Sequence, residues 1–132
     1  MKTRSLARQK EFRQVYEDGK KFVGRYSVIY LLPSPDAAKA DVASRKIGGA
    51  VQRNRAKRVL REALRAVIYN NNQLARQLAA AVMPTDSNEP DNRTECWIVV
   101  VARRAILDVG IKETTTELQQ MLSGLTNDQT QQ

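Results

Sequence analysis

The 132-residue sequence has the length of one domain, and its 42% hydrophobic and 27% charged residues are typical of a folded protein. We therefore expect a single domain over 1–125. Histidine is absent and Cys96 is the only cysteine, which excludes an intrachain disulfide and a zinc site of clustered thiolates, and removes the commonest general base. No apolar run reaches the roughly 18 residues that span a bilayer, and no segment near Met1 resembles a signal peptide. We expect a cytoplasmic protein with no membrane partner.

The net charge of +8 is unevenly distributed along the chain. Residues 1–25 carry eight lysines and arginines against three acids, residues 45–65 carry eight against one, and residues 66–132 carry five against eight. A local cationic excess attracts a polyanion by releasing its condensed counterions. Nucleic acid is therefore the leading partner class. An anionic membrane is the alternative, although that mode usually pairs cations with large apolar side chains at the interface.

The first half of the chain predicts a helix followed by strands. Residues 5–18 have the spacing of a short amphipathic helix, and Gly19 stands where a helix C-cap would. The apolar residues of its predicted face are Leu6, Phe12, Val15 and Tyr16. Residues 25–32 alternate β-branched and aromatic side chains, which predicts a strand that 33–36, with two prolines, ends. Residues 37–44 fit a helix, because of their alanines, or a short strand, which we favour.

The second half predicts a long helix, a strand and a last helix. Residues 50–82 predict a helix that ends before Pro84, and the asparagines at 70–72 are candidates for interrupting it. Residues 84–93 are polar and predict a surface loop. The apolar run in 95–102 predicts a strand that is buried on both faces and central in its sheet.

After Gly110 the pattern predicts a last helix with one apolar side. The residues of that side are Ile111, Leu118, Met121, Leu122 and Leu125. Residues 126–132 have nothing to bury, so we expect a disordered tail. The order of these elements predicts an α+β domain of two layers, with helices packed on a small sheet.

The long helix separates its cations from its apolar residues. At about 100° per residue, most polar side chains of its first half fall within an arc of about 140°, with Arg55 near 200°. The members of that arc are Arg53, Asn54, Lys57, Arg58, Arg61 and Arg65. The apolar residues opposite are Ala56, Val59, Leu60, Ala63, Ala66 and Val67. The pattern predicts a helix that docks through its apolar stripe and turns its cations outward.

Three interpretations of this cationic side are possible. A merely solubilising face would mix charges, whereas Glu62 is the one acid among these cations. Arginines without acidic neighbours repel one another, which favours a polyanion that compensates them, and guanidinium groups that bind phosphate and stack on bases favour structured RNA. A helix-turn-helix reader of DNA would need a short helix just upstream, where 33–35 and a predicted strand lie.

Four of the seven aromatic residues fall into two pairs. Phe12 and Tyr16 are one helical turn apart, and Tyr26 and Tyr30 fall on one face of the predicted strand. Such pairs are able to stack on unpaired bases. Packing in the core is the alternative, and position alone favours it.

Residues 44–63 read SRKIGGAVQRNRAKRVLREA. This segment resembles the signature of the bacterial ribonuclease P protein family, S-K-K-x-G-x-A-V-x-R-N-R-x-K-R-x-x-R-E. Two further segments fit in order: EFRQVY at 11–16, followed by Gly19, resembles the first helix of that family, and VVVAR at 99–103 resembles its last strand.

The resemblance implies a fold of order αβββαβα with a left-handed β-α-β crossover, against the usual right-handed preference. It also implies a ribonucleoprotein endoribonuclease in which an RNA subunit with bound Mg²⁺ is the catalyst. The protein would bind that RNA, with one protein per RNA subunit, and would help hold the 5′ leader of precursor tRNA. No catalytic residue and no metal ligand is then expected in the protein.

The resemblance further implies a division of the site residues. The residues expected to bind the RNA subunit are Arg45, Lys46, Arg53, Asn54 and Arg55. The residues expected to bind the leader of precursor tRNA are Phe12, Tyr16, Tyr30, Lys57, Arg58 and Arg61. With the resemblance, stacking becomes the favoured role for the three aromatic residues, and Tyr26 gains less support.

The sequence departs from the family pattern in three places. Residues 39–43 lack the usual hydrophobic run with glycine, which leaves the length of that strand open. Gly49 replaces a commoner asparagine, and glycine is tolerated at a helix N-cap, so we expect the helix to start there. Residues 70–92 are longer than usual and predict a helix extension and a loop.

Two other classes of function stay open. A non-catalytic RNA-binding or ribosome-associated protein would show the same basic face. A protein-only nuclease would need carboxylates that bind Mg²⁺ near a strand end. The candidates are Asp36, Asp41, Glu95 and Asp108, which have no diagnostic spacing.

Overall fold

The computed structural model describes residues 3–83 and 92–130, with the backbone alone for 126–130. The described strands are β1 (Arg4–Ser5), β2 (Lys20–Val23), β3 (Ser27–Ser34), β4 (Ala38–Val42) and β5 (Glu95–Ala102). The described helices are α1 (Gln9–Asp18), α2 (Ala50–Asn70), α3 (Leu74–Val82) and α4 (Ile111–Thr130). Short 3-10 turns at Arg45–Ile47 and Arg104–Asp108 precede α2 and α4. The predicted α+β class is confirmed.

The strands form one sheet in the order β1-β4-β5-β3-β2. β5 lies at its centre, where Val99 pairs with Ala40 of the parallel strand β4 and with Tyr30 of the antiparallel strand β3. The prediction of a central strand at 95–102 is therefore confirmed. Because β4 and β5 are adjacent and parallel, α2 and α3 form the crossover of a β-α-β unit. Its left hand stays an expectation from the resemblance.

The two faces of the sheet carry separate hydrophobic clusters. On the face that we call the helical face, side chains such as Ile29, Leu31 and Ile98 pack against α2, α3 and α4. On the other face, which we call the cleft face, Leu32 and Val99 pack against Val15 of α1. The sheet and its three helices form the two expected layers, and α1 adds a partial cover on the cleft face.

The predicted orientation of α2 is confirmed. Its buried residues are Ala56, Val59, Leu60, Ala63, Leu64 and Val67. Leu60 and Ala63 are fully buried, and full burial of a leucine stabilises the fold by roughly 2 kcal/mol. The helix ends at Asn70 and α3 begins at Leu74, so the interruption predicted for the asparagines is confirmed.

The predicted start of the first helix is wrong. The amphipathic pattern suggested 5–18, whereas α1 begins at Gln9 and ends at Asp18, with Gly19 donating to the Val15 carbonyl at 2.8 Å. Arg4 and Ser5 instead pair in parallel with Ala38 and Lys39 of β4. A two-residue strand carries no periodic signal, so the sequence could not reveal this pairing.

The predicted end of β3 is also wrong. We expected 25–32 and a break at Pro33, whereas β3 spans Ser27–Ser34 and Pro33 pairs with Cys96. The pairing of β2 with β3 stops at Leu31. Pro33 therefore lies where only one side of the strand is paired, a position that tolerates the missing N–H. The favoured strand within 37–44 is confirmed as β4.

The ends of the predicted loop and last helix are only partly described. Residues 84–91 of the loop predicted at 84–93 lie outside the described residues. In α4, Leu118 and Leu122 are buried as predicted, whereas Ile111 is 44% exposed and does not belong to the buried side. The backbone of α4 continues to Thr130, into the segment predicted to be disordered, and 131–132 lie outside the described residues. Disorder of the tail stays a prediction.

Candidate nucleic-acid interface

The polar side of α2 faces away from the core along the whole first half of the helix. Asn54, Arg55 and Arg58 are exposed, and Arg53 and Lys57 are half-buried. The helix docks through leucine, valine and alanine side chains on its opposite side. The same residues that fix the helix on the sheet thus fix the direction of its cations.

The turn before α2 sets where the cationic motif begins. Gly48 has φ 145°, a conformation that L side chains rarely adopt, and Gly49 is the N-cap. The Nη1 of Arg53 donates to the Gly48 carbonyl at 3.3 Å, so Arg53 also holds this turn in place. Arg45 and Lys46 lie exposed on the 3-10 turn just upstream. Helical periodicity alone did not indicate the internal contact of Arg53.

Only some of these cations are neutralised within the chain. Arg61 forms an ion pair with Asp41 at 3.4 Å, and Arg65 forms one with Glu62 at 3.4 Å. In the described part of the chain, no carboxylate lies within 4 Å of Arg53, which donates to the Gly48 carbonyl, or of three further cations of the helix. These cations are Arg55, Lys57 and Arg58. The helix therefore presents a surface of unneutralised positive charge.

The cleft face carries a row of three aromatic rings. Tyr16 meets Tyr30 edge-on with ring centroids 4.9 Å apart, and Phe12 lies 6.5 Å from Tyr16. Tyr16 is 41% exposed, and the other two rings are half-buried. Burial, together with the neighbouring Tyr30, raises the pKa of Tyr16, so its hydroxyl stays neutral at physiological pH. The rings pack on one another and still expose surface, so packing and base stacking are compatible.

A depression at the β4 edge of the sheet joins the aromatic row to the cations of α2. Its volume is about 290 Å³, and Phe12 lines it together with Lys57 and Arg61. Residues from four elements thus meet at one groove. Tyr16 and Tyr30 continue from Phe12 along the cleft face. Arg58 lies on the outward surface of α2 and does not line the depression.

A polar cluster that the sequence did not indicate fastens the N-terminal strand beside this groove. Arg4 forms ion pairs with Asp36 at 2.6 Å and with Glu11 at 2.9 Å, and its guanidinium lies 5.4 Å from the centre of the Trp97 ring. Trp97 in turn donates its indole N–H to Asp36 at 2.9 Å. Segment 3–8, the N-terminal strap, is thereby held against β4. Ser5 and Leu6 of this strap line the depression.

The predicted pairing of Tyr26 with Tyr30 on one strand face is wrong. Tyr26 precedes β3 and packs against the cluster of the helical face, whereas Tyr30 belongs to the cleft face. Glu117 of α4 accepts hydrogen bonds from the backbone N–H groups of Arg25 and Tyr26, which fixes this turn. Tyr26 therefore has a structural role.

The acids considered as metal ligands are dispersed. Asp36 pairs with Arg4, Asp41 pairs with Arg61, and Glu95 pairs with Arg76 at 3.3 Å. The described residues contain no group of three or more Cys, Asp or Glu side chains that could hold a metal ion. Burial raises the pKa of the Cys96 thiol to about 12, so it stays protonated in the core. These residues do not fit a protein-held Mg²⁺ site.

An α+β domain that presents an unneutralised cationic helix beside an aromatic groove has the features of a small nucleic-acid-binding protein. Within the described ranges, no helix is long and apolar enough to cross a membrane.

Comparison with known proteins identifies the family within this class. The family model described as Ribonuclease P matches residues 1–126. The chain therefore belongs to the ribonuclease P protein family, as the motif at 44–63 suggested.

Two curated relatives illustrate the match in sequence. The ribonuclease P protein component of Clostridioides difficile is 39% identical over 66 residues, which cover 48% of this chain and 58% of the relative. That of Symbiobacterium thermophilum is 32% identical over 113 residues, which cover 83% and 80%. The chain thus spans little more than half the length of the first of these relatives.

Two solved structures share the fold. The RNase P protein of Staphylococcus aureus has a TM-score of 0.64 at 18% identity, covering 92% of this chain and 94% of the other. The RNase P protein from Thermotoga maritima has a TM-score of 0.62 at 20% identity, covering 93% and 97%.

Proposed function

We propose that this protein is the protein subunit of ribonuclease P. In that role it binds the catalytic RNA and the 5′ leader of precursor tRNA, and it assists the endonucleolytic removal of the leader that produces the mature 5′ end. The observation that carries the proposal is the groove in which Phe12 meets Lys57 and Arg61, since ring and cation side by side suit an unpaired nucleotide.

The two sets of residues have different tasks in this proposal. The outward start of α2 and the turn before it bind the RNA subunit through phosphate contacts; these residues are Arg45, Lys46, Arg53, Asn54 and Arg55. The groove, the cleft face and the neighbouring outward surface of α2 hold the leader; these residues are Phe12, Tyr16, Tyr30, Lys57, Arg58 and Arg61. Arg55 is exposed on α2 and has no acidic partner among the described residues, so its substitution tests RNA-subunit binding without breaking an internal ion pair.

The chemistry belongs to the RNA in this proposal. Mg²⁺ is held mainly by the RNA subunit, in keeping with the dispersed and paired carboxylates of the protein. One protein binds one RNA subunit, and the complex works in the cytoplasm. The protein binds and orients the substrate, so that the RNA subunit acts on a substrate already held in the right geometry.

Reconstitution tests the proposal directly. The purified protein alone should leave precursor tRNA intact, and it should restore cleavage at low Mg²⁺ concentration when a ribonuclease P RNA is added. The Arg55→Ala variant should need more protein for the same rate. If the protein fails to restore cleavage, the proposal is wrong. Equal affinity of the protein–RNA complex for precursor and mature tRNA would favour a general RNA-binding protein instead.

A further inference from the structure

Tyr69 lies on the surface of α2 at the end remote from the arginine motif. It is 86% exposed, more than any other large apolar side chain described. Within the described residues it has no hydrogen bond and no ring contact. Its ring therefore contributes almost nothing to the core. A single exposed apolar residue is common on protein surfaces, so exposure alone indicates no function.

The position of Tyr69 relative to the cations of α2 is the second observation. Arg58 and Arg65 are seven residues apart and Tyr69 follows four residues later, so the three side chains lie within about 40° of one another around the helix. We call Arg65 and Tyr69 the distal stripe. Arg65 is 61% exposed and its contact with Glu62 is long, at 3.4 Å, so the pair holds its guanidinium only weakly.

The distal stripe continues the surface that begins at Arg55. From Arg55 to Tyr69 the helix rises about 21 Å, without a break in its backbone. The leader groove faces another side of the helix, because its cations Lys57 and Arg61 lie about 120° and 80° from Tyr69 around α2. A nucleic acid that binds Arg55 and follows the helix therefore meets the stripe, whereas a chain in the groove does not.

We infer that Arg65 and Tyr69 form a second contact for the RNA subunit, in which Arg65 binds a phosphate and the Tyr69 ring stacks on an unpaired base. This inference rests on the proposed function and extends its RNA-binding surface to the far end of α2. An exposed ring beside an exposed guanidinium suits an RNA loop, since stacking needs a base that is free of its helix. A protein partner would need acidic side chains to compensate Arg65, whereas every RNA loop supplies phosphates beside its unpaired bases.

The test compares four variants for binding to a ribonuclease P RNA over a series of salt concentrations. Tyr69→Ala should weaken binding by about fivefold or more, with an unchanged salt slope, because stacking releases no counterion. Tyr69→Phe should bind like the wild type. Arg65→Ala should weaken binding and reduce the salt slope by about one. Gln119→Ala, at an exposed site on α4, is the matched control and should have no effect.

Chemical modification of the RNA supplies the second measurement. The wild-type protein should protect at least one unpaired base that Tyr69→Ala leaves reactive, while the bases protected through Arg55 stay protected in both. If Tyr69→Ala and Gln119→Ala bind alike, or if Tyr69→Ala weakens only the binding of precursor tRNA, the inference is overturned. Loss of binding in Arg55→Ala, with no effect of Tyr69→Ala, would overturn it and leave the proposed function standing.

Discussion

Tyr30 has features of both a packed core residue and a base-stacking residue. Its ring contacts Tyr16 at 4.9 Å and belongs to the cluster of the cleft face, yet it stays half-exposed. A ring held by packing loses little conformational entropy when a base stacks on it, which favours binding. The two interpretations therefore make different predictions only when stability and binding are measured together.

Tyr30→Ala should reduce the preference of the reconstituted complex for precursor over mature tRNA by about fivefold or more, because it removes one stacking surface. Tyr30→Phe should keep the preference. The affinities for both tRNAs and the free energy of unfolding are the measurements.

Val99→Ala is the matched control, since Val99 is fully buried behind Tyr30 in the same cluster and offers no ring. It should lower stability while keeping the preference for the leader. If both variants lose the preference in proportion to their loss of stability, Tyr30 is a core residue and its stacking role is wrong.

At the scale of elements, regular periodicity accounts for what the sequence could predict. The apolar run of β5 and the two-sided pattern of α2 both extend over several residues, and both elements were predicted. On the apolar side of α2 the prediction missed Leu64, which is buried, and included Ala66, which is half-buried. The two-residue strand at Arg4 and Ser5 and the helix start at Gln9 depend on tertiary pairing with β4, which no local pattern contains. The groove depends on the same pairing.

The candidate site was predictable to a similar extent. The outward cations followed from helical periodicity, whereas the role expected of each comes from the resemblance to the family motif and stays a prediction. The contact of Arg53 with Gly48 and the ion pairs of Arg4 were not predictable, because they join residues through turns and sheet edges rather than through sequence spacing. Tyr69 was missed for another reason: an isolated exposed aromatic residue has no pattern.

The N-terminal strap should be sensitive to acid. Burial opposes ionisation of Asp36, but the hydrogen bonds from Arg4 and Trp97 outweigh it and hold the pKa of Asp36 below its ordinary 3.8. The hydrogen bond from Arg4 likewise lowers the pKa of Glu11 from 4.5. Since both pKa values are lower in the folded protein, these carboxylates stabilise it above their ordinary pKa values, and the contribution is lost as the pH falls through the folded-state values.

Asp36→Asn should therefore destabilise the protein near neutral pH, by no more than about 1 kcal/mol because the ion pair is partly exposed, and the difference from wild type should shrink towards pH 3. Urea unfolding over pH 3–7, followed by the fluorescence of Trp97, measures both effects. Glu17→Gln, which removes an exposed carboxylate of α1 with no ion pair among the described residues, is the charge control. A difference for Asp36→Asn that is constant over this pH range would contradict the role given to the ion pair.

At the scale of the whole molecule, the charge of +8 favours binding of a polyanion but lowers the stability of the free protein. Lys57 lies four residues from Arg53 and four from Arg61, and like charges at this spacing cost about 0.2–0.5 kcal/mol each in a helix. Within the described residues no carboxylate lies within 4 Å of Lys57, whereas Arg61 is compensated by Asp41. The free protein thus carries a repulsion that a bound polyanion relieves.

Lys57→Gln should therefore raise the free energy of unfolding of the free protein by roughly 0.4–1 kcal/mol at low salt, and the gain should vanish at high salt where the repulsion is screened. The same variant should bind precursor tRNA more weakly in the reconstituted complex, with a salt slope reduced by about one. Arg61→Gln is the matched comparison: it removes a similar repulsion but also the ion pair with Asp41, so its stability should not rise. Two results would contradict this prediction: Lys57→Gln lowers the stability of the free protein, or it raises the stability equally at low and high salt. Either result would mean that repulsion between the cations of α2 does not destabilise the free protein. The lack of acidic neighbours would then no longer indicate a polyanionic partner.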